Sequence, residues 1–156
     1  MIRSENIRYI FIGLFIIAIQ VILLRHLKVY GGEADLVLIY LLWIATHRNR
    51  TETLLFAAGA GLLQDAMTDL WGLNLFSKTL LIFLFHGYLN KISENRFILW
   101  QIFLILLITT IVHNAIFVFV SSFAGIYATS YAAGPMLIAG SLYTALTGSF
   151  LYLTRS

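Results

Sequence analysis

The chain has 156 residues, 60% of them apolar and 11% charged, with a formal net charge of +3 and no cysteine. So little polar surface excludes a water-soluble domain of this size, and the lack of cysteine excludes disulfides, thiolate metal sites and a cysteine nucleophile. The positive charge is not a nucleic-acid signal, because the basic residues are spread over loops and form no stripe.

A membrane helix needs about 20 apolar residues to cross a hydrocarbon core roughly 30 Å thick. Six apolar runs point to one membrane domain over 1–156, with helices predicted near 9–24, 34–47, 52–67, 70–90, 97–124 and 135–153. The first follows a basic start, but Leu23-Leu24-Arg25-His26 offers no small-x-small cleavage site, so it reads as a retained helix. The second and third are short and meet at His47-Arg48-Asn49-Arg50. A re-entrant hairpin would bury that turn in lipid at about 2.5–3.5 kcal/mol per charge, so full crossings are expected. The fourth contains Lys78, and the sixth opens on Pro135, whose missing N–H is harmless in a first turn. Tyr9, Trp43, Trp71, Tyr88 and Trp100 lie near run ends, as interfacial aromatics do.

Seven of the ten Lys and Arg residues fall in alternate gaps: Arg3 and Arg8, Arg48 and Arg50, Lys91 and Arg96, and Arg155. Cations are retained on the cytoplasmic side, so both termini are expected there. The opposite gaps then hold Arg25, Lys28, Glu33 and Asp35, next Asp65 and Asp69, and last an uncharged loop around 125–134. The basic inner turns suit anionic lipid or an acidic cytosolic partner.

The densest polar cluster runs from Gly61 through Gln64, Asp65 and Asp69 to Gly72, Asn74 and Lys78. Asp65 and Asp69 share a face if their helix continues, as do Asn74 and Lys78. Lys78 has three readings: an ion pair with Asp65 inside the bundle, a side chain snorkelling outward, or part of a ligand or proton site. No nucleophile lies beside a base at recognisable spacing, so no catalytic residue, and no enzyme, is expected. His26, His47, His86 and His113 lack a second ligand at i+3 or i+4, so neither a metal nor a cofactor is expected. His113 and Asn114 suit an interhelical hydrogen bond, or a pocket lined together with Gln101. Small residues recur every fourth position: Gly140, Thr144 and Gly148 in one row, Ser141, Ala145 and Ser149 in another, and Ala57 and Gly61 in a short third. Such rows let helices approach closely, either within the bundle or in docking another protein's membrane helix.

Ala34-Asp35-Leu36-Val37-Leu38 followed by Tyr40-Leu41-Leu42-Trp43 resembles the second helix of the rod shape-determining MreD family. Gly61-Leu62-Leu63-Gln64-Asp65 matches that family's Gly-Leu-x-x-Asp segment, Gly72-Leu73-Asn74 its Gly-Leu-Asn turn, and Gly87-Tyr88-Leu89 its closing helix end. The matched part covers about a third of the chain, and Ala34 stands where the family often has proline. The resemblance implies a six-helix bundle like the substrate-binding S-components of energy-coupling-factor vitamin transporters, with a pocket open to the outside. It also implies a bacterial inner-membrane subunit without catalytic activity. Such a subunit would bind the bitopic protein MreC and work with MreB, RodA and a class B penicillin-binding protein in lateral peptidoglycan synthesis. Two alternatives stay open: a vitamin-capturing S-component with Asp65, Asp69, Asn74 and Lys78 in its pocket, and an intramembrane enzyme or proton path using Asp65 and Lys78.

Overall fold

A computed structural model of the protein describes residues 4–92, 97–125 and 130–155. Arg3, Glu94 and Arg96 of the charge-sorting argument, the Arg155 side chain and residues 126–129 of the fifth loop lie outside the described set. Helix α1 is Ser4–Ile22, extended by a 3-10 turn at Leu24–His26. After a tight turn closed by a Val29–Gly32 bridge come α2 (Leu36–His47), α3 (Arg50–Thr68), α4 (Leu73–Ile92) and α5 (Leu99–Phe123). The last rod is α6 (Ser130–Pro135), a π-helical turn at Met136–Gly140, and α7 (Ser141–Arg155).

Side-chain caps and left-handed residues set these boundaries. Asp35 caps α2 by accepting the Leu38 N–H at 2.9 Å, and Asn49 caps α3 by accepting the Glu52 N–H at 2.9 Å. Asp69 ends α3 in the left-handed region (φ 58°), and Gly72 follows at φ 88°. The fourth run therefore turns helical at Leu73 and not at Leu70. Asp69 lies beyond the end of α3, exposed, accepting the Trp71 indole N–H at 2.9 Å, so it shares no helix face with Asp65. Pro135 also departs from expectation. It closes a helix begun five residues earlier, and the backbone widens into the π turn immediately after it.

The described chain is all α apart from that single bridge. Among the described residues three helices are long and apolar enough to cross a membrane, Ser4–His26, Leu99–Phe123 and Ala133–Thr154, where the sequence pattern suggests six. Helices α3 and α4 have 19 and 20 residues but carry Arg50, Glu52 and Asp65, or Asn74, Lys78 and His86. Helix α2 has only 12 residues, about 18 Å of rise.

Short and almost wholly apolar, α2 forms the centre of the bundle. Val37, Leu38, Leu41, Ile44 and Ala45 are buried against α1, α3, α4 and α7. The apolar residues left outside, such as Phe11 and Phe15 on α1, Phe119 on α5 and Leu146 and Phe150 on α7, form a surface suited to lipid. At the α2–α3 turn Arg48 pairs with Glu5 at 3.0 Å, lies over the Tyr9 ring, and offers its carbonyl to His86 Nε2 at 2.9 Å. Tyr9 and Trp43 pack together there (ring centroids 5.6 Å), whereas Trp71, Tyr88 and Trp100 are exposed.

Both small-residue rows of the last helix turn inward. Ser141, Thr144, Ala145 and Ser149 are buried, and a Cβ on Gly148 would lie 2.7 Å from Leu106 of α5 and 3.4 Å from Ile39 of α2. They are internal packing surfaces, closed to a helix from another protein. Gly61 has the same role on α3, where an added Cβ would meet the α4 backbone 2.6 Å from Leu75 Cα and 2.7 Å from Leu75 N. Gly61→Ala is therefore expected to cost about 1–3 kcal/mol by overpacking. Gly59→Ala, two residues away with nothing within 4 Å among the described residues, is the matched control. Thermal unfolding in detergent reads the difference, and equal melting temperatures for the two variants would refute the close-approach argument.

Candidate functional site: a polar network beneath an open cavity

Gly61 brings the end of α3 against the start of α4, and Asp65 uses the approach. Its Oδ1 accepts the backbone N–H and the side-chain Nδ2 of Asn74, and its Oδ2 accepts the Leu75 N–H, all at 2.9 Å. A carboxylate from one helix thus caps the N-terminus of the next, where the amides lack intrahelical partners and the helix dipole favours an anion.

Asn74 passes the network on. Its Oδ1 accepts from Lys78 Nζ at 2.9 Å, and the same ammonium reaches Asp35 Oδ2 at 2.9 Å. The Lys78 side chain is 0% exposed, so it does not snorkel, and its carboxylate partner is Asp35, 43 residues earlier, in place of Asp65. Asp35 is held from two further sides. Its N–H donates to Thr144 Oγ1 at 3.0 Å, and Gln20 clamps the segment around it, donating to the Ala34 carbonyl and accepting the Leu36 N–H, both at 2.8 Å. On α5, His113 lies 3.3 Å from Ser77 Oγ, and Asn114 Nδ2 donates to the Met136 carbonyl at 3.1 Å and to Ser141 Oγ at 3.0 Å. Asn114 thus satisfies a carbonyl of the π turn. Gln101 sits near the start of α5, where it accepts the Ile98 N–H, and does not join His113 and Asn114.

These groups floor a cavity of about 540 Å³ at the end of the bundle opposite Arg48. Its depth follows from helix lengths. Helix α2 begins at Asp35, on the floor, while α5 continues past His113 to Ser121, about 12 Å further along the axis. The walls are Phe117, Val118, Ser121 and Ser122 of α5, Gln64 and Thr68 of α3, Gln20 and Val21 of α1, and Met136 of the π turn. Asp35 and Asn74 line it, whereas Asp65 and Lys78 lie behind the floor and Asp69 stands apart. Among the described residues no three His, Asp or Glu side chains gather as a metal site.

Chemically the network joins helix ends and shapes a recess. The Asp65–Lys78 pair that a proton path or intramembrane enzyme would use is not formed. Sequence reasoning missed Gln20, Ser77 and Ser121. Gln20 carried a usable signal, because a lone amide in an apolar run needs a partner in lipid. Compared with protein-family models, curated proteins and solved structures, the chain matches none.

Proposed function

We propose that this chain is a non-catalytic inner-membrane scaffold of the bacterial cell-elongation machinery, akin to MreD, binding MreC and supporting lateral peptidoglycan synthesis. One observation carries the reading. Asp35, Gly61, Asp65 and Asn74, which carry the resemblance, come from α2, α3 and α4 and are brought together around Lys78. The proposal includes six crossings with both termini in the cytosol. It is supported by the gathering of Glu5, Arg48, Glu52 and His86 at one end and of Glu33, Asp35 and Asp65 at the other. The short central α2 and the recess above it suit an S-component-like bundle. Because the small-residue rows are internal, the MreC helix docks on an outer apolar face.

Depleting the protein in the rod-shaped bacterium that carries it should round the cells, and affinity purification from mild detergent should recover a bitopic partner. Depleted cells that stay rods would overturn the proposal. The cavity favours a second reading, a vitamin-capturing transporter subunit. Its mark is vitamin uptake lost on deletion while cell shape is kept.

A further inference from the structure

We propose that the cavity at the Asp35 end is a binding site for a small monoanion with an apolar, ring-sized body and a hydrogen-bonding group, held by Arg25, Gln64 and Ser121. The inference draws on the same cavity as the transporter reading, but it is argued from the lining groups alone and assumes neither function.

Two wall groups separate this recess from an ordinary packing gap. Gln64 is 8% exposed and Ser121 is 2% exposed, both line the cavity, and neither Gln64 Oε1 nor Ser121 Oγ has a hydrogen-bond partner among the described residues. A buried polar atom without a partner is costly to the fold. The floor groups differ, since Asp35, Asn74 and Asn114 are all engaged. Two orphans on facing helices, α3 and α5, define where a ligand's polar group belongs.

Charge and shape supply the rest. Lys28 pairs with Glu33 at 2.9 Å and Asp35 with Lys78, so the lining charges cancel except for Arg25, which has no acidic partner among the described residues. One uncompensated guanidinium at the mouth selects a single negative charge, with fork geometry suited to a carboxylate. Between mouth and floor, Val21, Leu70, Phe117, Val118 and Met136 offer apolar and aromatic surface. A volume of about 540 Å³ falls within the range of small-molecule sites.

The test uses the purified full chain in nanodiscs with two acids, 4-hydroxybenzoate and indole-3-acetate, and their amine and alcohol counterparts, 4-hydroxybenzylamine and tryptophol. Calorimetry should show at least one acid binding about tenfold tighter than its counterpart, and Arg25→Gln, an exposed change, should abolish that preference. The paired variant Gln64→Met with Ser121→Ala should weaken the acid by about tenfold yet leave the ligand-free protein as stable as before or more so, since it removes two orphaned atoms. No binding by either acid to millimolar concentration, or binding indifferent to charge, overturns the proposal. A paired variant that melts lower without ligand would show that the two atoms serve the fold, with water as their partner, and would overturn their assignment.

Discussion

Asp35→Asn is expected to destabilise the protein by about 3–5 kcal/mol, because it strands the Lys78 ammonium in the bundle without a counter-charge. Lys78→Met should cost less, although it breaks the same 2.9 Å pair. The asymmetry comes from the surroundings. Lys78 is 0% exposed, whereas the Asp35 side chain keeps 16% exposure and lines the cavity, where water can solvate an unpaired carboxylate. Asparagine also retains an oxygen to cap α2 at Leu38, so the loss reports the charge and not the cap. The double variant should lose less than the sum of the singles, with a coupling of about 0.5–3 kcal/mol. Reversible unfolding in mixed micelles measures all three. Equal losses for the two singles, or simple additivity, would contradict the buried-pair description.

That pair marks the limit of what the sequence discloses. Runs of apolar residues, the polar turns between them, and an Asp-Asn-Lys cluster where the third run meets the fourth were all legible, because they depend on local composition and spacing. The partner of Lys78 was not. Spacing relates Lys78 to Asn74 one turn away, and that contact forms, but the choice between Asp35 and Asp65 depends on how α2, α3 and α4 pack. Asp69 misled because its four-residue spacing from Asp65 assumes an unbroken helix, and a left-handed backbone at 69 breaks it. The small residues from Gly140 to Ser149 show the reverse limitation: their period was correct, yet the same period serves a bundle interior and a docking face alike. Pro135 was placed by the preference for a first turn, while the chain spends it beside a π turn whose carbonyl Asn114 satisfies. Six runs reduced to three spanning candidates because α2 is too short and α3 and α4 too polar.

Asp65→Asn is expected to be among the most damaging conservative changes in the chain, costing about 3 kcal/mol or more. The amide keeps one oxygen for Asn74, but it must turn an NH2 group towards the Leu75 N–H, setting donor against donor where Asp65 is 1% exposed. It also removes the negative charge that the N-terminus of α4 favours. Asp65→Glu offers no rescue, since Gly61 holds the two backbones too close for a longer side chain. Hydrogen exchange should speed up at Asn74 and Leu75 before the rest of α4, because the cap is lost first. The change should also couple to Lys78→Met although the two side chains do not touch. Asn74 donates to Asp65 with Nδ2 and accepts from Lys78 with Oδ1, so freeing either side lets its amide rotate away from the other. A double variant whose loss equals the sum of the singles would show that Asn74 does not transmit the constraint, and unchanged exchange at Leu75 in Asp65→Asn would show that the carboxylate does not cap α4.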